Sequence, residues 1–369
     1  MEIKVTTYKK LLALLLFSLV IIGCSSIKNG VSYRTAKSSK LLLQLKRNND
    51  KGILVGHQDG LAYGIGWKYK DGATLDSDVY RATGQYPAVL GWDIGKVGND
   101  NNLDSVPFDR IRELIRRGHK KGTINTISWH ISLLNDSISS WDSPKGLLNS
   151  LLPNGKNHQA LLEKLDKASE FFASLKTEKG KSIPFIFRPW HEMDGDWFWW
   201  GSAHTTIEDY KELFRFTIDY LKNKKGLNNF LVAYSPDRKF YSEEEYLRFY
   251  PGDEYIDILG ADNYYDYTPD GDGLEAIAKK LTIVSNLAEK KGKIAAFTET
   301  GSDKLEDPFW FTQKLGEVLN YRNLKSKLAY VLLWRNRDKK HFYIPYKGHK
   351  AFQDFINFTK QEDVLLLKK

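Results

Sequence analysis

The run Ile183-Pro184-Phe185-Ile186-Phe187-Arg188-Pro189-Trp190-His191-Glu192 decides how this chain is read. Its first half is short and apolar, the pattern of a strand buried on both faces. It then breaks into a polar, aromatic stretch that reaches Gly201 and holds Trp190, Trp197, Trp199 and Trp200. Before it, residues 157–175 put Leu161, Leu162, Leu165, Ala168 and Phe172 on one face of an amphipathic helix. After it, residues 206–225 read as a second helix. A buried strand between two helices is the repeating unit of a parallel sheet.

The unit recurs along the chain. Strand-like runs fall at 52–57, 87–93, 123–130, 183–188, 230–234, 256–260, 294–297 and 328–333. Helices are expected at 105–121, with Pro107 in the first turn and Gly122 as the stop, and at 274–291 and 307–324. Eight strands alternating with helices predict a single-domain α/β fold, the (β/α)8 TIM barrel. A doubly wound open sheet is the alternative, but no Gly-rich dinucleotide loop follows the first strand. Strand after strand ends in a polar or aromatic residue: His57, Asp93, His130, Glu192, Asp262, Tyr264, Glu299 and Trp334. In a barrel these ends converge on one face.

The 369 residues include 10 Trp and 20 Tyr, and the formal charge is +9. Residues 1–23 read as a lipoprotein signal: Lys4, Lys9 and Lys10, an apolar run at 11–22, then Cys24, the only cysteine. Cys24 is the expected lipidation site, residues 24–39 the tether and 40–369 the barrel. Removing 1–23, with three Lys and one Glu, leaves the mature chain near +7. One cysteine excludes disulfides within the chain. No later segment reads as transmembrane. The lysines are scattered and no nucleic-acid motif accompanies them, so the charge reads as solvated surface. No acidic cluster follows Cys24, which favours the periplasmic side of a bacterial envelope over the cell surface. A monomer is expected.

Two glutamates carry the chemistry. Acetal hydrolysis needs an acid at the leaving oxygen and a second carboxylate across the sugar carbon. Glu192, among aromatic rings, is the candidate acid and Glu299 the candidate nucleophile. Thr298 or Tyr264 is a candidate donor to Glu299. A structural ion pair with Arg188 or Arg335 is the plainer role for either glutamate. His57, His130 and His191 with a carboxylate would make a zinc set, but no short ligand pair such as H-E-x-x-H is present. Hydrogen bonding to sugar hydroxyls fits them better, so neither metal nor cofactor is expected. The four tryptophans of 190–200 read as candidate sugar platforms.

These motifs resemble glycoside hydrolase family 26, chiefly β-mannanases. The matching pieces are Gly56-His57-Gln58-Asp59 with Ala62-Tyr63-Gly64, Gly91-Trp92-Asp93, Ser128-Trp129-His130, the run Arg188 to Gly201, Gly260-Ala261-Asp262-Asn263-Tyr264, Phe297-Thr298-Glu299-Thr300-Gly301 and Trp334-Arg335-Asn336. They span nearly the whole mature chain in order. The resemblance implies retaining hydrolysis of β-1,4-mannan or galactomannan, with Glu192 as acid/base and Glu299 as nucleophile. It implies that His191 and Tyr264 position these carboxylates. It places His130 and Trp334 against the sugar being cleaved, Arg335 at the next sugar, Trp197 as a wall on the leaving-group side, and His57 and Asp93 among the substrate-binding residues. Xylan or mixed-linkage glucan is the alternative substrate, and a non-catalytic polysaccharide-binding lipoprotein the alternative function. Ser132-Leu133-Leu134-Asn135 departs from the family pattern, which implies a different loop beside the cleft.

Overall fold

The computed structural model describes residues 36–367. The expected leader 1–23, the lipidation site Cys24 and the tether up to residue 35 lie outside the described residues. Eight parallel strands form a ring: β1 Ile53–Gln58, β2 Val89–Asp93, β3 Ile124–Ser128, β4 Phe185–Arg188, β5 Phe230–Tyr234, β6 Ile258–Asn263, β7 Ile294–Thr300 and β8 Leu328–Leu333. Each pairs with the next, and β8 returns to β1 with Leu54 opposite Tyr330 and His57 opposite Leu333. Closure leaves this ring no open edge. A two-residue β9, Val364–Leu365, pairs with the start of β1.

The strands alternate as the pleat requires. Leu54, Val89, Ile186, Leu231, Ile258, Ala296 and Leu332 fill the barrel interior. Val55, Leu90, Phe187, Val232, Leu259, Phe297 and Val331 face the larger core beneath the outer helices. Those helices include α1 Ala36–Asn49, α2 Phe108–Lys121, α3 His158–Ser174, α4 Ile207–Asp219, α5 Leu274–Lys290 and α6 Phe352–Thr359. The end of α2 follows the sequence signals: Gly122 takes φ 105° and closes the helix onto the carbonyls of Gly118 and His119. Thr206 caps α4 through the Asp209 N–H.

Three expectations change. Residues 36–39 belong to α1, not to a tether. Leu41, Leu42 and Leu45 join the interior cluster, and each such burial stabilises the fold by roughly 1.5–3 kcal/mol. Hydrogen bonds from Ser38 to the Asn228 carbonyl (3.1 Å), Lys46 to Gly292 (3.3 Å) and Asn49 to Lys327 (3.3 Å) seat α1 on the loops that precede β5, β7 and β8. It therefore stops the N-terminal mouth of the barrel. The helix expected at 307–324 is broken into wide turns at Trp310–Leu315, a short helix at Gly316–Asn320 and tight turns that follow. Asp354 of α6 captures the backbone N–H groups of Phe311 (2.8 Å) and Thr312 (3.2 Å) and fixes where this segment starts. Finally, β6 and β7 run three residues past their apolar cores, with Asp262 opposite Glu299 and Asn263 opposite Thr300. Glu299 thus sits within β7, one residue before its end.

Candidate active site

The chain leaves β4 through a strained turn. Trp190 and Glu192 both hold left-handed backbone, φ 53° and 55°, uncommon for such side chains. The contacts around them impose it. The Trp190 carbonyl accepts from Tyr210 (2.7 Å), its indole donates to Thr217 (3.1 Å), and the Glu192 N–H donates to the Ser235 carbonyl (2.8 Å). Trp190, Trp199 and Trp200 are buried and pack on one another, so they are core and not sugar platforms. Core packing and aromatic cleft-lining look alike in the sequence of this run. Only Trp197 turns to the cleft, and its indole donates to Glu192 Oε2 at 2.7 Å. Gly195 makes room for it, since a Cβ there would lie 2.5 Å from the indole ring.

Glu192 and Glu299 meet across the barrel mouth. Carboxylate oxygens of Glu192, Asp262 and Glu299 lie within 4.8 Å of one another. Burial, then the charges of Asp262 and Asp237, hold the Glu192 carboxyl well above the usual range, which favours its protonated form. Glu299 is arranged oppositely. It accepts from the guanidinium of the buried Arg188 and from the Tyr264 hydroxyl at 3.1 Å. Burial pushes that phenol up and keeps it a donor. Tyr264, not Tyr265, is thus the tyrosine on Glu299; Tyr265 is partly exposed and lies under Arg238, 4.0 Å from its ring centre. Thr298 donates to Asp262 instead (2.6 Å), and Asp262 takes its other contact from Arg188 (2.6 Å). The ion pair with Arg188 and the cleft-facing role of Glu299 therefore coexist. Among the described residues, the three clustered carboxylates are also a group that could hold a cation. Arg188 already places its charge on two of them.

A carboxyl that favours its proton, opposite a second that accepts hydrogen bonds from Arg188 and Tyr264, is an arrangement that can supply an acid and a nucleophile. The oxygen separation, within 4.8 Å, lies on the side of the short spacing, about 5–5.5 Å, at which the second carboxylate reaches the sugar carbon itself, and not of the wider one that admits a water. The cleft is a hollow of about 310 Å³. His130, His191, Trp197 and Trp334 line it. Arg335 lines a second hollow of about 560 Å³ on the same face, where it pairs with Asp104 at 2.5 Å.

Residues 31–337 match the model of glycosyl hydrolase family 26. The chain belongs to that family. It is 32% identical to a mannan endo-1,4-beta-mannosidase of Bifidobacterium adolescentis over 99% of this chain and 39% of the relative. To a mannan endo-1,4-beta-mannosidase of Bacillus subtilis it is 30% identical over 53% of this chain and 55% of the relative. The chain thus spans about two fifths to about half of these curated relatives. Among solved structures, a family 26 beta-mannanase of Bacteroides ovatus superposes with TM-score 0.83 at 39% identity, covering 90% of this chain and 96% of that one. A modular endo-beta-1,4-mannanase of Cellulomonas fimi superposes with TM-score 0.83 at 33% identity, covering 92% and 77%.

Three family 26 positions take other roles than expected. His57 is fully buried and lines none of the cleft, and burial lowers it to about 4, so it is neutral. Asp93 reaches the cleft only through His130. It accepts from Gly95 N–H (2.6 Å) and Ser128 Oγ (2.9 Å) and holds His130 Nδ1 at 2.7 Å. Burial alone would raise its carboxyl; His130 and these donors hold it below the usual range. His191 is buried with Nδ1 unpaired, and burial and Arg188 keep it neutral. It meets the ring of His130 edge-on, at 4.7 Å between ring centres, rather than hydrogen-bonding Glu192 or Glu299.

The sequence reading missed Trp141, Asp237, Arg238 and Tyr343, all of which line the cleft. Trp141 stacks on His130 with ring centres 5.2 Å apart and planes 9° apart. It gets there because the departing loop turns sharply, with Leu134, Asn135 and Asp136 at positive φ and Leu133 bridged to Ile138. Asp237 had a signal: it sits three residues past β5, where barrel sites are built.

Proposed function

We propose that the chain is a retaining β-1,4-mannanase that hydrolyses mannan or galactomannan by double displacement. Glu299 attacks the anomeric carbon while Glu192 gives its proton to the departing glycosidic oxygen. Glu192 then takes a proton from water, and the water oxygen displaces Glu299. The observation that carries the reading is the 4.8 Å limit on the Glu192–Glu299 oxygen separation. The names of the relatives favour mannan. His130 and Trp334 meet the sugar being cleaved, Arg335 its neighbour, and Trp197 the leaving group.

Glu192→Gln is expected to lower turnover of mannan by about 10²–10⁴-fold while sparing substrates whose leaving group needs no proton. Glu299→Gln is expected to abolish turnover of both. Full activity of either variant on mannan, with folding intact, would remove the assignment. Reducing ends released from xylan or lichenan in preference to mannan would redirect the substrate, and binding without release would make the protein a polysaccharide binder.

We also infer that lipid on Cys24 holds the chain, as a monomer, at the periplasmic side of the envelope. Lys4, Lys9, Lys10, the apolar run and the following cysteine support this. Labelled fatty acid should enter the protein in cells and fail to enter Cys24→Ser. Equal labelling of both would exclude Cys24 as the site.

A further inference from the structure

We propose that the N-terminal face of the barrel docks on anionic phospholipid headgroups, through the groove between the end of α2 and the loop before β4. The groove is a hollow of about 360 Å³ lined by Arg116, His119, Lys120, Lys179 and Lys181, with Glu178 the single carboxylate in its lining among the described residues. Glu178 pairs with Lys120 at 3.1 Å, so the groove keeps a clear excess of positive charge. Arg116, Lys120, Lys179 and Lys181 are all exposed. Lys40 of α1 lies near enough for its charge to act on His119.

An ordinary cause covers part of this cluster. The last turn of a helix attracts cations, which accounts for Lys120 and Lys121. It does not account for Arg116, a turn earlier, or for Lys179 and Lys181, which lie in a loop on the other side of the groove.

Orientation argues for a membrane as the partner. The stopper helix α1 lies across the N-terminal mouth, and Ala36, its first residue, is twelve residues after Cys24. That is at most about 40 Å of extended chain. An anchor at Cys24 would therefore join the barrel on this face, the one opposite Glu192 and Glu299. Leu43 of α1 is 52% exposed and adds an apolar contact. Basic segments close to a lipid anchor strengthen attachment to anionic leaflets. Docked this way, the cleft opens away from the bilayer, toward polysaccharide. The orientation rests on the lipid reading of Cys24; the groove does not depend on the mannan reading.

The test is cosedimentation of the mature chain, as Cys24→Ser so that no lipid intervenes, with vesicles of about 30% phosphatidylglycerol in phosphatidylcholine. Binding is expected to those vesicles and not to pure phosphatidylcholine, with loss near 0.5 M salt, where screening falls to about 4 Å. Reversing Arg116, Lys120, Lys179 and Lys181 to Glu should weaken binding by about tenfold or more. Reversing Lys145, Lys156, Lys339 and Lys347, on the cleft side, should change it far less. An equal Tm and equal circular dichroism in the groove variant and the parent show that the variant folds. No binding, equal binding to neutral vesicles, or equal loss in the two reversal sets would each overturn the proposal. Fatty-acid labelling at Cys24 is read separately, so failure of the anchor and failure of the groove are distinguishable.

Discussion

The proton on Glu192 answers to two neighbours that pull in opposite directions. The Trp197 indole donates to its carboxylate form, and the charge that Asp237 takes on as it ionises, near pH 8, opposes that form. Trp197→Phe therefore removes support for the ion and should move the alkaline limb of kcat/KM up. Asp237→Asn removes the opposing charge and should move the limb down. Each shift is expected at about 0.5–1 pH unit, read from pH–rate profiles. Shifts of the same sign in both variants would show that Glu192 does not set that limb. Glu192 and Glu299 were legible in the sequence because one follows β4 by four residues and the other lies near the end of β7, in a chain of clear period, which makes the barrel mouth predictable. The partners were harder. Tyr264 and Tyr265 are adjacent and chemically alike, and only the end of β6 decides which faces Glu299. Trp141 was illegible for a different reason: a loop with three successive positive-φ residues brings it onto His130, and no local pattern encodes that turn.

The strands β6 and β7 do more than carry side chains to the mouth. Gly260 of β6 faces Thr298 of β7 so closely that a Cβ would lie 2.5 Å from the Thr298 Cγ2 and 2.6 Å from its Oγ1. Thr298 in turn donates to Asp262, which holds Arg188 against Glu299. Gly260→Ala should push Thr298 aside and cost about 1–3 kcal/mol, seen as a lower Tm, with turnover reduced through the displaced Arg188. Unchanged Tm and turnover would mean that the contact relaxes at no cost. Helices with ordinary caps, such as α2, could be bounded from Pro107 and Gly122. The start of α1 could not, because Ala36-Lys37-Ser38-Ser39 is polar and takes its helical state from the barrel floor beneath it. The broken segment after Asp307 was hidden likewise, since α6, far along the chain, fixes where it begins.

The alternation of buried strands and amphipathic helices made the whole barrel readable, while its charge layout emerges only when topology sorts loops to one end or the other. Burial has a cost at the cleft end that should appear in the pH dependence of stability. Asp237 is raised to about 8, by burial and then by Asp194, and Asp262 to about 6, chiefly by burial. Both carry protons in the fold that the unfolded chain gives up near pH 4. Their contribution is complete below that pH and is lost as pH rises toward 6 and 8. His57, lowered to about 4, acts in the reverse sense: its contribution is present above the unfolded value near 6.5 and is lost as pH falls toward 4. Asp237→Asn should therefore flatten the fall of Tm between about pH 4 and 8; a parallel curve would show that Asp237 ionises normally. The central claim is that Glu192 and Glu299 stand close enough for direct attack by a carboxylate. Proton NMR of the reducing end first formed from a mannooligosaccharide tests it most directly. The account predicts the β-anomer first, followed by slow mutarotation, and the α-anomer first would contradict it.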